Sequence, residues 1–239
     1  MILQTHDLWR TFGGVAAVAG INFNLKKGEL RCLIGANGAG KSTFFKMLTG
    51  QIKPTSGRIT LFGKDVTNLP SHAIARMGVG VKTQVPNLFN GLSVQENLFM
   101  SAQRVMGRKP ALEAVDAMLE KIHMTAHAQT LAGKLAHGHR QWVELGMILI
   151  SEPQLVLLDE PAAGMTAGEV ERTIALLNEL RGQRTFIIVE HDMHFIRRIA
   201  EKVTVFHRGR VLVEDTMEAV VRNTEVRDAY LGQHGKEAR

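Results

Sequence analysis

Apolar residues along this chain follow two rhythms that alternate. Short apolar runs at Ile2 to Trp9, Glu29 to Ile34, Gly57 to Phe62, Val79 to Thr83, Leu155 to Leu158, Phe186 to Val189 and Val203 to Phe206 predict strands. Apolar residues three and four apart predict helices at Lys41 to Leu48, stopped by Gly50, at Gly168 to Arg181 and at Met193 to Ala200. From Ser93 to Ile150 the strand rhythm stops and helical spacing takes over, with Val115, Met118, Leu119 and Ile122 on one face. Strands alternating with helices predict an α/β protein with a largely parallel sheet. The helical stretch, about 60 residues long, has the size of an inserted subdomain. The expected organisation is one domain over 1–239, with a core from 1–84 and 154–239 and a helical subdomain at 85–153.

Composition narrows the class. With 239 residues, 45 % hydrophobic and 22 % charged, the chain is ordinary globular material, long enough to bury a core without staples. Its single cysteine, Cys32, excludes an intramolecular disulfide framework and suits a reducing compartment. No apolar run approaches the ~18 to 20 residues of a spanning helix. Met1 to Arg10, which includes Asp7, lacks the basic-then-apolar pattern of a secretory signal, so a cytosolic location is expected. The net charge of +6 is uneven, at +8 over residues 1–84, zero over 85–153 and −2 over 154–239. Like charges run no further than pairs such as Lys26-Lys27 and Arg197-Arg198. The surplus therefore reads as a solvated surface around a site for a small polyanion, not as a nucleic-acid stripe.

That polyanion has an obvious seat. Gly35-Ala36-Asn37-Gly38-Ala39-Gly40-Lys41-Ser42 fits the phosphate-loop pattern G-x-x-x-x-G-K-[ST] and lies between a predicted strand and a predicted helix, as the chemistry requires. Glycines let backbone N–H groups turn inward around phosphate oxygens, and the helix start adds its positive dipole end. Lys41 brings charge to the β- and γ-phosphates, and the Ser42 hydroxyl, followed by Thr43, is placed to ligate Mg²⁺. Nucleoside triphosphate binding follows from this segment alone. A second constellation ends the run Leu155-Val156-Leu157-Leu158 in Asp159-Glu160. A buried strand delivers its terminal carboxylates to the sheet edge where open α/β sheets bind ligands. Asp159 suits Mg²⁺, and Glu160 suits orienting or deprotonating a water.

With these segments the chain resembles the nucleotide-binding subunits of ABC transporters. The order of motifs carries the resemblance. Gln84 follows the strand Val79 to Thr83, Leu135-Ala136-His137-Gly138-His139-Arg140-Gln141 stands in the signature place, and His191 follows Phe186 to Glu190. The resemblance implies a P-loop NTPase (RecA-like) core with an antiparallel β subdomain and an inserted α-helical subdomain. It implies ATP and Mg²⁺, with two subunits sandwiching two ATP molecules. Ala136, His137 and Gly138, at the start of a helix opened by Gly138, would face the nucleotide held by the other subunit. His191 would contact the γ-phosphate and the attacking water. Gln84 would sense Mg²⁺ or water while its loop, Val85 to Asn97, touches a membrane partner. Phe12 falls where the family stacks an aromatic ring on adenine; a core position is the alternative for that ring.

The signature departs from the usual LSGGQ. Ala136 lacks the serine hydroxyl, His137 and His139 replace glycine and glutamine, and Gly164-Met165-Thr166 closes a loop that more often ends in aspartate. Losing one hydrogen bond to a charged group costs about 1.5–3 kcal/mol. A weakened signature with an intact phosphate loop and Glu160 fits a heterodimer of unequal sites. Among the ten histidines, His123 and His127, four apart on a predicted helix, and His137 and His139 lack zinc spacing with further ligands, so they read as solvated or packing residues. Trp142 and Met147 read as core.

Phe12-Gly13-Gly14, Asp159 to Thr166 and Tyr230-Leu231-Gly232 resemble the ATPases of bacterial importers for branched-chain amino acids and related small amides. His137 to Met147 resembles the urea branch. That resemblance implies a second, different ATPase subunit, two integral membrane permeases, a periplasmic substrate-binding protein, and a peripheral position on the cytoplasmic face of the bacterial inner membrane. The rival expectations are an ATPase of lipopolysaccharide export and, in another class, a translation- or DNA-associated ABC protein. The single cassette and the ordinary insertion rank the latter low, and no nucleic-acid partner is expected.

Overall fold

The computed structural model describes residues 1–84 and 86–234. Val85, where the expected helical subdomain and the loop after Gln84 begin, lies outside the described residues. The elements run β1 (Leu3–Phe12), β2 (Val15–Leu25), β3 (Leu30–Gly35), α1 (Lys41–Leu48), β4 (Ser56–Leu61), β5 (Lys64–Asp65), α2 (Ser71–Arg76), β6 (Val79–Lys82), α3 (Val94–Ala102) and α4 (Arg108–Lys121). After two 3₁₀ turns, Thr125–His127 and Ala132–Lys134, come α5 (His137–Leu149), β7 (Leu155–Asp159), α6 (Ala167–Leu180), β8 (Thr185–Val189), α7 (Met193–Ile199), β9 (Lys202–His207), β10 (Arg210–Asp215), α8 (Met217–Arg222) and α9 (Thr224–His234).

The chain divides into two compact units, one of 1–77 with 181–239 and one of 78–180. The first unit holds an antiparallel sheet in the order β2-β1-β4-β5. It also holds a parallel set in which β3 pairs with β8 on one side and β9 on the other, with β10 antiparallel on β9. The strands β3, β8 and β9 are almost wholly buried, which is why their sequences are continuous apolar runs. Arg31 is the exception inside β3. It is 1 % exposed, its Nε donates to Glu29 (2.7 Å), and its guanidinium pairs with Glu214 of β10 at 2.5 Å. Next to it Cys32 is buried, and burial, reinforced by Glu190, pushes its thiol far above the ordinary range. That cysteine is a packing residue with no thiolate to offer.

The second unit pairs β6 with β7 in parallel and packs α3 against α4 and α5. Its helices α3 and α4, the two 3₁₀ turns and α5 fill the stretch where the strand rhythm stops. Compactness divides the chain at 78 and 180 rather than at 85 and 153, because β6 and β7 pair with each other and α5 packs on β6. Ser93 opens α3 with a reciprocal capping box, accepting from Glu96 N–H while Glu96 accepts from Ser93 N–H. His123 and His127 do not share a helix as expected. His123 follows α4 with φ +54°, and His127 lies in a 3₁₀ turn. Trp142 is core at 3 % exposed, its indole N–H donating to Thr173 Oγ1 (3.0 Å), whereas Met147 is only half-buried. Among the described residues no helix is long and apolar enough to cross a membrane.

Candidate nucleotide site

The phosphate loop leaves β3 at Gly35 and enters α1 at Lys41. Its three glycines carry the turn, with φ of +154° at Gly35, +77° at Gly38 and +105° at Gly40. A Cβ at Gly40 would collide with the carbonyl of Ala17 and lie 3.2 Å from Gly209 Cα, so only glycine fits where the loop passes under β2 and the β9–β10 turn. That turn holds the loop from below, Gly209 N–H donating to Ala39 O (2.9 Å) while Gly209 O accepts from Ala19 N–H (2.8 Å). Gly38, by contrast, faces open space, and Asn37, Gly38 and Ser42 are exposed. Ala39 is buried and anchors the loop, and Ala36, Lys41 and Thr43 are half-buried. Lys41 Nζ folds back over the loop and donates to the carbonyls of Gly35 (2.6 Å) and Ala36 (3.1 Å). A flexible ammonium at a glycine turn, with an exposed cradle beside it and a helix start behind it, fits a polyphosphate.

In the same unit, Leu33 of β3 lies level with Val189 of the parallel neighbour β8. His191, two residues beyond β8, therefore leaves the same edge as the phosphate loop. The side chain is 72 % exposed, with Nδ1 3.8 Å from Glu190 Oε2. The buried Glu190 carboxylate accepts the His191 backbone N–H (2.9 Å), and Asp192 caps α7 by accepting from His194 N–H (2.8 Å). The histidine is thus fixed at its backbone and exposed at its ring. Phe12 is not core. It is 44 % exposed at the end of β1, pairs with Val15 across the Gly13-Gly14 turn, and carries the Arg10 guanidinium 4.5 Å above its ring centre.

In the second unit the parallel register aligns Lys82 of β6 with Leu158 of β7. Gln84 and Glu160, each two residues further on, leave that pair at one edge. Asp159 closes β7 and is buried; Glu160 is half-buried with φ +47°, a left-handed backbone at the sharp exit from the strand. Gln84 is exposed. The loop after it is braced from α5, where Glu144 accepts from Asn87 N–H (3.0 Å) and lies 3.6 Å from Lys82 Nζ. Burial pushes the Glu144 carboxyl up, against the pull of Asn87 and Lys82.

The signature residues form the first turn of α5, which starts one residue earlier than expected. Ala136 is the N-cap without a side-chain bond, His137 is the first helical residue, and Gly138 is the second. The chain can start its turn at His137 because helical backbone does not need the glycine there. His137 is exposed, and its Nε2 lies 3.1 Å from Nε2 of the wholly buried Gln141. His139 stacks between His127 (5.0 Å) and Trp142 (6.1 Å), a packing role. Spacing alone missed Gly209, Ala17 and Glu144. The Arg208-Gly209-Arg210 turn between two apolar runs was the readable sign of the first.

Comparison with known proteins gives the family. The ABC transporter profile matches residues 18–163. The chain is similar to the high-affinity branched-chain amino acid transport ATP-binding protein BraF of Pseudomonas aeruginosa, at 34 % identity over 97 % of this chain and 98 % of that protein. The same identity and coverage hold for LivG of Escherichia coli K12, which carries the same description. Among solved structures, an ATP-binding cassette of an ABC transporter in its ADP conformation superposes with a TM-score of 0.84 at 27 % identity, covering 97 % of this chain and 98 % of that one. The cbiO1 protein of Clostridium perfringens, part of the ABC transporter complex cbiONQ, gives 0.83 at 29 %, covering 98 % and 97 %. The P-loop NTPase core expected from the motifs is the fold of these cassettes. With a phosphate loop of this form and likeness over nearly its whole length, the chain belongs to the ABC transporter family and is one of its ATP-binding, ATP-hydrolysing subunits.

Proposed function

We propose that this chain powers an importer for branched-chain amino acids or a related small amide such as urea, from the cytoplasmic face of the bacterial inner membrane. The observation that carries this reading is the likeness to BraF and LivG along nearly the full length of both proteins, beyond the shared loops. The helical subdomain at 85–153 carries the signature, and the core at 1–84 and 154–239 carries the hydrolytic residues.

Gly35 to Thr43 wrap the phosphates, with Lys41 releasing its loop carbonyls to meet them, and Phe12 offers a ring to adenine. Ser42, Gln84 and Asp159 would hold Mg²⁺, which would neutralise charge on the phosphate oxygens. Glu160 orients the attacking water and takes its proton, and His191 donates to the γ-phosphate. Ala136, His137 and Gly138 face the nucleotide of a second subunit, which is a different paralogue. BraF and BraG, two proteins of Pseudomonas aeruginosa with the same description, are both similar to this chain and support such a pair. Two permeases receive the closing and reopening of this pair through the loop after Gln84, and a periplasmic binding protein selects the cargo.

Affinity purification from native membranes with mass spectrometry of co-purifying proteins tests this. Two permeases and a second ATPase are expected. Ribosomal proteins, nucleic acid or lipid-export components in their place would overturn the importer assignment and leave the family membership standing.

A further inference from the structure

Two glycines of the second unit receive each other's neighbours. The first is Gly164, in the loop that follows Asp159-Glu160, with φ +71°. A Cβ there would lie 2.7 Å from Cδ2 and 3.0 Å from Nε2 of His137, so the His137 ring occupies that space. The second is Gly138, on the buried side of the first turn of α5. A Cβ there would collide with the Glu169 carboxylate, both of its oxygens included. The Glu169 carboxylate is not loose. Its Oε2 accepts from Thr166 N–H (2.8 Å) and Thr166 Oγ1 (2.9 Å), closing a capping box at the end of the same loop. The first turn of α5 thus puts a side chain on a glycine of the acidic loop, and the first turn of α6, which that loop enters, puts a side chain on a glycine of α5.

We infer that Glu169 is a positioning residue: together with His137 it locks the loop carrying Glu160 to the first turn of the signature helix, so that the two move as one body. The inference rests on the hydrolytic role given to Glu160 above. The loop leaves β7 through a left-handed Glu160 and turns on Ala163 N–H to Glu160 O and Met165 N–H to Ala162 O (both 3.2 Å), and the lock adds two ties from this turn to α5. Gly138 is then required within its own chain, by a carboxylate that is pinned by Thr166 and cannot swing away without opening the α6 cap. Charge adds to the fit, since a carboxylate at the start of α5 meets the positive end of that helix, with His139 and Arg172 nearby.

The test is a double-mutant cycle on Gly138→Ala and Glu169→Ala, read as the Tm of the nucleotide-free chain, beside the ATP turnover of the membrane-purified complex carrying the Glu169 variants. Misplacing a reacting group by about 1 Å costs up to ~10²-fold. Glu169→Ala is expected to lower kcat about tenfold or more with little change in KM for ATP. Glu169→Gln, which keeps the acceptor for Thr166, is expected to restore most of it. Gly138→Ala is expected to lower the Tm on its own and to leave it nearly unchanged in the Glu169→Ala background. If Gly138→Ala costs the same Tm shift in both backgrounds, the lock is refuted. A loss in Glu169→Ala that falls on KM with kcat intact would also refute it. Should the wild-type complex show no ATP turnover, the function proposed above fails, and the Tm cycle still decides the lock.

Discussion

Glu144 sets the electrostatics of the segment that follows Gln84. Its carboxylate is buried on α5, accepts the Asn87 N–H and faces Lys82, and burial still outweighs both in raising its pKa. The sign of the consequence follows from linkage. A carboxyl whose folded-state pKa is raised binds its proton more tightly in the native state, so its contribution to stability is complete below the ordinary carboxylate range. That contribution is lost as pH rises through the raised value. Glu144→Gln keeps an acceptor for Asn87 and removes the titration. The difference in Tm between Glu144→Gln and the wild type is therefore expected to shift in favour of the variant as pH rises above the ordinary carboxylate range. Parallel Tm–pH curves for the two proteins would contradict a raised, structurally coupled carboxyl. At this scale the candidate nucleotide residues were legible, because phosphate loops and acidic strand ends are contiguous. Glu144 was not legible, since nothing in its neighbourhood distinguishes it from a charged residue on the solvated side of a helix.

The elements differ in how much of them the sequence reveals. β3, β7, β8 and β9 are buried on both faces, so each reads as an unbroken apolar run, and their bounds are recovered within about one or two residues. β2 and β10 were not predicted. β2 is interrupted by Gly20, and its register against β1 shifts at several points, which breaks the alternation that marks a half-exposed strand. β10 is half-buried throughout its middle and short of a clean period. The short helices α2 and α8 were missed as well; each has six residues, too few for a helical period to declare itself. What joins the missed strands to the legible core is Arg31. It reaches Asn24 O at the end of β2, Thr204 Oγ1 on β9, and the carboxylates of Glu29 and Glu214. Arg31→Ala leaves the buried Glu29 carboxylate without its cation, and is expected to lower the free energy of unfolding by about 3–5 kcal/mol. Denaturant titration measures it, and a loss below about 1 kcal/mol would mean that water replaces the guanidinium at no great cost.

At the scale of the whole molecule, each unit brings its chemistry to the carboxyl ends of parallel strands. One presents the phosphate loop and His191 from β3 and β8, the other Gln84, Asp159 and Glu160 from β6 and β7. This repeats the rule by which open α/β sheets bind ligands at the ends of their strands. The signature turn was the least legible part. Its helix starts at His137, and its two unusual histidines do different work, one lying on the acidic loop and the other stacking on Trp142. In the proposed chemistry Glu160 handles the water that attacks ATP. The most direct test of that role is the turnover of the purified complex carrying Glu160→Gln, measured beside its affinity for ATP. Turnover is expected to fall by about 10²–10⁴-fold with ATP affinity unchanged. Turnover at the wild-type rate would contradict the account.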